Sequence, residues 1–259
     1  MTRAIAAFSN SSAVVLPEPD ASIRFQGADI YKTFGSRRVL GGVSIAVGRG
    51  EIVGLLGAMG SGKSTLFKVL TGVERPDRGQ VTLFGRDVTG LCIDARARLG
   101  IGYVPQSPEM FEQLSVEANL RMAIDARFGP SEKEADLIRV LLEGFGLNAM
   151  RDRRVSVLSR GQRRLLEVAY AVATLPKFLL LDEPFAGLDP LVVDRITDLI
   201  RGLADIGIGI LITDHKARLI LDLVQRAVVI DNGLVIADGP SEMIARSSRV
   251  REVFLGNAN

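Results

Sequence analysis

Cysteine is almost absent from this chain of 259 residues. One residue, Cys92, leaves no partner for an intrachain disulfide, which suits a reducing compartment. Long apolar runs are missing too. No window approaches the ~18 consecutive apolar residues of a membrane-spanning helix. The N-terminal apolar patch, "AIAAF", is broken by "SNSS" and is too short for a signal-peptide core. Charge of one sign is also lacking: 32 Lys and Arg stand against 30 Asp and Glu, a net +2. That balance argues neither for a nucleic-acid partner nor for free-standing membrane-surface binding, and no nucleic acid is expected. There is no internal repeat and no low-complexity tract. What remains is an ordinary globular composition, 47% hydrophobic and 24% charged, long enough for one large domain with a small subdomain. Residues 1–22 read as a flexible extension.

The order of elements points to an α/β fold. "IRFQGADI", "VSIAV" and "EIVGLLG" are strand-like, the third apolar on both faces as a central strand is. A glycine-rich loop follows, then a helix from about Lys63 to Leu70. "QVTLFG" reads as an edge strand. From about residue 107 to 173 the pattern is helical with no strand signal, which predicts an inserted helical subdomain. "FLLLD" and "IGILIT" read as buried strands separated by the amphipathic "PLVVDRITDLIRGLADIG". Two apolar runs flank Asp231-Asn232-Gly233, a hairpin signal. "SEMIARSSRVREVFLG" looks helical. The G-x-G fragments at 100–102 and 207–209 read as turns. Alternating strands and helices predict a mostly parallel sheet covered on both faces.

Gly57-Ala58-Met59-Gly60-Ser61-Gly62-Lys63-Ser64 fits G-x-x-x-x-G-K-[ST] between a predicted strand and a predicted helix. Glycines at 57, 60 and 62 let backbone N–H groups turn toward phosphate oxygens, and the helix directs its positive end at the same anion. Lys63 reaches β- and γ-phosphates, and Ser64 offers a hydroxyl to Mg²⁺. Asp182 and Glu183 end a buried strand, where ligands sit in open parallel sheets. Asp182 is a candidate Mg²⁺ ligand and Glu183 a candidate base for an attacking water. Ser159-Arg160-Gly161-Gln162 fits a capping box, S-x-x-Q, worth about 1 kcal/mol. A helix start of this kind is also an anion site.

Together these residues resemble the nucleotide-binding subunit of an ABC (ATP-binding cassette) transporter, over about residues 23–257. "GAMGSGKST", Gly57 to Thr65, resembles the family's Walker A loop, and "FLLLDE" its Walker B strand with Glu183 as the catalytic carboxylate. "LSRGQ" stands where the family has its signature, with Arg160 replacing a usual glycine. Gln106 in "YVPQSP" resembles the Q-loop glutamine, which contacts Mg²⁺. Asp189 in "AGLDP" resembles the D-loop aspartate. His215 in "LITDH", the only histidine, resembles the switch histidine. Phe34 falls where an aromatic ring stacks on adenine, and phenylalanine keeps that face.

The resemblance implies ATP and Mg²⁺ as ligands. It implies a head-to-tail homodimer in which Ser159, Gly161 and Gln162 of one chain close on ATP held by the other. Here the Arg160 side chain is expected to turn to solvent or to the facing subunit, where its charge would favour dimer closure. The resemblance further implies integral membrane permease partners, with Met110, Phe111 and Leu114 as apolar contacts, and a place on the cytoplasmic face of the inner membrane. At finer grain the sequence resembles the lipopolysaccharide-export and branched-chain amino-acid transport cassettes.

Overall fold

The computed structural model describes residues 24–130 and 133–247. The N-terminal extension and most of the expected C-terminal helix lie outside these residues. Two sheets organise the fold. A six-stranded sheet has the order β10-β9-β3-β8-β7-β6. Its strands are β3 (Ile52–Leu56), β6 (Ile101–Val104), β7 (Phe178–Asp182), β8 (Gly209–Thr213), β9 (Arg226–Asp231) and β10 (Leu234–Pro240). All neighbours are parallel except β9 and β10, which form the hairpin expected across Asn232-Gly233. A four-stranded antiparallel sheet has the order β2-β1-β4-β5, from β1 (Arg24–Phe34), β2 (Arg37–Gly48), β4 (Arg78–Leu83) and β5 (Arg86–Asp87).

Three central strands, "IVGLL", "FLLLD" and "GILIT", are buried at every residue. Their side chains alternate between two cores, as the period of two requires. Val53, Leu55, Leu180 and Leu211 face the antiparallel sheet, together with Phe25, Ile30 and Val43. Ile52, Leu56, Leu179, Leu181, Ile210 and Ile212 face the helices. Each such Leu or Ile contributes roughly 1.5–3 kcal/mol by burial.

Helix α1 (Lys63–Thr71) lies in the first core through Leu66, Phe67, Val69 and Leu70. Its C-terminus is held by Arg96, fully buried in the short helix α2 (Ile93–Arg98). The Arg96 guanidinium donates to the carbonyls of Val69, Leu70, Thr89 and Leu91 at 2.6–3.1 Å. A cation there complements the helix dipole and satisfies its last carbonyls. Burial pulls the Arg96 pKa down to about 10.

Between β6 and β7 the chain forms α3 (Val116–Phe128), α4 (Glu134–Phe145), two short 3-10 turns and α5 (Arg160–Ala173). Then α6 (Pro190–Asp205) joins β7 to β8, α7 (Ala217–Leu223) joins β8 to β9, and α8 (Ser241–Arg246) follows β10.

Several sequence expectations need correction. "IGYV" is β6, not a turn, and Gly209 opens β8. A four-residue strand beside glycines has too short an alternation to read. "QVTLFG" is not an edge, because β5 pairs outside β4. Helix α2 was not expected, since six residues carry little periodicity. Residues 107–115, expected within a helical pattern, precede the first helix of that stretch.

Candidate functional site

Parallel pairing brings the carboxyl ends of five strands to one edge. Val104 pairs with Leu181, Leu181 with Ile212, and Asp182 with Thr213. Gln106, Glu183 and His215, each just beyond a strand end, therefore meet, although 77 residues separate Gln106 from Glu183. Gln106 Nε2 donates to Glu183 Oε2 at 2.8 Å. His215 Nε2 lies 2.9 Å from Glu183 Oε1. The candidate base is thus bracketed at both oxygens. Glu183 is buried and sits at φ +52, an uncommon backbone conformation for a residue with a side chain. Its N–H donates to Thr213 O at 2.8 Å, and its carbonyl accepts from Arg164 Nη2 at 2.7 Å.

Beside it Asp182 is 3% exposed, and its Oδ1 has no hydrogen-bond partner among the described residues. Burial pushes its pKa up to about 6, and the neighbouring Glu183 adds to the rise. A hydrogen bond from Ser64 and the charge of Lys63 oppose it. The phosphate loop runs from Gly57 into α1. Gly62 caps the helix at φ +109, open to glycine and strained for other residues. Lys63 is buried, and its Nζ donates to the carbonyls of Gly57 at 2.7 Å and Ala58 at 3.0 Å. Burial lowers its pKa, while Glu183 and Asp182 pull the other way. Ser61 is buried with a hydroxyl that has no partner among the described residues, and Met59 is exposed.

An orphaned carboxylate oxygen, a serine hydroxyl and a glutamine amide form a hard oxygen donor set suited to a small divalent cation. Among the described residues no group of three or more His, Cys, Asp or Glu can hold a metal unaided.

Phe34 ends β1, half-exposed, with Lys32 Nζ 5.1 Å from its ring centre. The paired strand β2 passes Val39 and Leu40 against Gly62, so this hairpin flanks the phosphate loop. Asp189 caps α6 by accepting from Leu191 N at 2.9 Å.

Ser159 and Gln162 form the capping box reciprocally, at 3.3 and 2.9 Å. None of these bonds reaches the phosphate loop of the same chain. Gly161 does lie where a side chain would clash, but the close neighbour is Val192 of α6. The Arg160 side chain is exposed, and its guanidinium passes beside Gly187 of its own chain. It lines a surface groove with Gln106, Glu109, Met110 and Arg163.

Near this groove Phe111 and Leu114 are exposed, while Met110 is half-buried against the core. The buried Asn119 side chain accepts from Phe111 N and donates to Phe111 O, both at 3.1 Å.

Two residues carry much of this geometry without a motif to announce them. Asp214, buried, accepts from Phe185 N and Lys216 N at 3.0 Å, tying the Glu183 loop to the His215 loop. Arg164 binds carbonyls on both sides of the site. Its one sequence signal is a charge placed four residues before Val168, on the apolar face of α5.

The family model for the ABC transporter matches residues 40–186. This chain belongs to the ABC transporter family. It is 45% identical, over 88% of its length and 81% of the relative's, to a probable ABC transporter ATP-binding protein of Azorhizobium caulinodans. It is 42% identical to the lipopolysaccharide export system ATP-binding protein LptB of Acidithiobacillus ferridurans, covering 90% and 96% of the two chains. The LptB of Escherichia coli K12 is also 42% identical, over 88% of this cassette and 95% of that protein. Among solved structures, an ATP-binding cassette of an ABC transporter in its ADP conformation superposes with a TM-score of 0.80. It has 30% identity and covers 91% of this chain and 99% of that one. A dimeric cassette bound to ADP and Pi shares the fold at a TM-score of 0.76 and 21% identity, covering 84% of this chain and 98% of the other.

Proposed function

We propose that this cassette hydrolyses ATP to power a membrane transporter of the lipopolysaccharide-export type. The observation that carries the hydrolytic part is the Glu183 carboxylate, held between Gln106 and His215 beside Asp182 and Lys63. Glu183 is placed to orient and deprotonate a water. His215, half-exposed and 2.9 Å from Glu183 Oε1, stands where the family's switch histidine contacts the γ-phosphate. The phosphate loop, Gly57 to Thr65, cradles the phosphates, and Phe34 stacks on the base. Ser64, Asp182 and Gln106 would hold Mg²⁺, which supplies charge neutralisation of the phosphates when bound.

Ser159, Gly161, Gln162 and Asp189 serve the site of a second copy in a head-to-tail dimer. Their hydrogen bonds close locally and leave the helix start available to an outside anion. The cassette spans residues 23–257, with the helical segment inserted at about 107–173. No helix among the described residues is long and apolar enough to cross a membrane. In this reading the path belongs to separate permease subunits. The exposed Phe111 and Leu114 are the contacts offered to them, on the cytoplasmic face of the inner membrane. The export assignment rests on the LptB relatives.

Affinity capture of the tagged chain from solubilised membranes tests the reading. It should recover integral membrane permeases together with Mg²⁺-dependent ATP hydrolysis. Phe111→Ala should lower transport-coupled turnover and leave ATP binding intact. Capture of ribosomes or DNA in place of permeases would overturn the transport assignment.

A further inference from the structure

Arg164 lies one turn into α5, behind the capping box of the signature stretch. Its side chain is 8% exposed. The guanidinium makes four hydrogen bonds in three directions. Nε donates to Pro184 O at 3.0 Å and Nη2 to Glu183 O at 2.7 Å. Nη1 donates to Pro105 O at 3.4 Å and to Glu167 Oε2 at 2.9 Å. Only a planar fork serves adjacent carbonyls on one edge and a third carbonyl and a carboxylate on the other. The buried Glu167 balances the charge, and burial raises the Glu167 pKa against the pull of Arg164.

The carbonyls that Arg164 selects give it a function. Glu183 occupies a left-handed backbone conformation that a glutamate does not adopt freely. Thr213 O fixes the N–H side of that residue and Arg164 fixes its carbonyl side. Pro105 directly precedes Gln106, whose amide holds Glu183 Oε2. Arg164 therefore grips the backbone at both ends of the Gln106–Glu183 hydrogen bond. It does so from the helix whose first turn carries Ser159 and Gly161.

We propose that Arg164 is a positioning residue that sets the orientation of the Glu183 carboxylate and makes it depend on where the signature helix stands. Movement of α5 is passed to Glu183 of the same chain through one guanidinium. The inference rests on Glu183 being the base of the proposed ATP hydrolysis.

The test is a double-mutant cycle in the full-length chain, with hydrolysis by the unmodified protein measured first. Absence of that activity would sink the hydrolytic reading itself, separately from Arg164. With activity present, Arg164→Met should lower kcat about 10- to 100-fold while the KM for ATP moves less than about twofold. Arg164→Lys should recover part of the loss. In a Glu183→Gln background the same substitutions should cost nothing further, because the group they orient is gone. A purely structural arginine would instead weaken ATP binding and lower the residual rate in both backgrounds alike. Either result overturns the proposal. If Arg164→Met does not fold, Arg164→Lys and Glu167→Gln run through the same cycle with the same criteria.

Discussion

The guanidinium of Arg160 covers the α-carbon of Gly187, so that a methyl group added there would overlap Nη1, Cζ and Nη2 of the arginine. The arginine in "LSRGQ" is thus packed against the loop between β7 and α6 of its own chain. Gly187 itself stands at φ +63. Gly187→Ala should cost about 1 kcal/mol, nearly all of it left-handed strain, because the exposed end of Arg160 can swing aside. In an Arg160→Ala background the same cost should remain. Urea unfolding of the four proteins decides. Marked non-additivity would mean that Arg160 is held in place over Gly187.

Glu183→Gln should retain ATP binding and lose about 10²- to 10³-fold in turnover, since the amide neither accepts a proton nor orients water as the carboxylate does. His215→Ala removes the partner 2.9 Å from Oε1 and should lose less. Phosphate release and nucleotide titration measure both. Near-normal turnover in Glu183→Gln would mean that another group is the base.

Asp182 links the site to pH. Its folded pKa of about 6 lies above its ordinary 3.8. Between these values the folded protein keeps a proton that the unfolded chain has released. Ionisation of Asp182 therefore erodes stability as pH rises through about 6. Without divalent cations, Asp182→Asn should raise the melting temperature at pH 7.5 and change it little at pH 4, while abolishing Mg²⁺-dependent hydrolysis. An equal shift at both pH values would refute the linkage.

Phe34→Ala should weaken ATP affinity by up to about tenfold, the equivalent of about 1.4 kcal/mol of lost stacking. Phe34→Tyr should be neutral. Titration with a fluorescent ATP analogue separates the two, and unchanged affinity in Phe34→Ala would remove Phe34 from the base-binding role.

The parts of this fold that were legible in the sequence are local. The phosphate loop is eight consecutive residues. The central strands announce themselves by unbroken apolar runs, and the β9–β10 turn by Asn-Gly. The capping box of Ser159 and Gln162 closes within four residues. The family resemblance supplied Gln106 and His215, whose meeting with Glu183 depends on parallel register across distant strands. What stayed hidden has two causes. Arg96, Arg164 and Asp214 act on backbone carbonyls and amides, which every residue carries, so their partners leave no mark in the side-chain sequence. Strand β6 and helix α2 were missed because a few residues cannot display a period.

One arrangement separates two kinds of constraint. Both backbone polar groups of Phe111 are tied to the single buried amide of Asn119. The turn is therefore held from beneath through its backbone, by bonds that do not depend on the chemistry of the ring. Residue 111 is free to change its chemistry while residue 119 is not. Exchanging the exposed ring for a different side chain would change the chemistry this surface offers without any need to rebuild the loop that presents it.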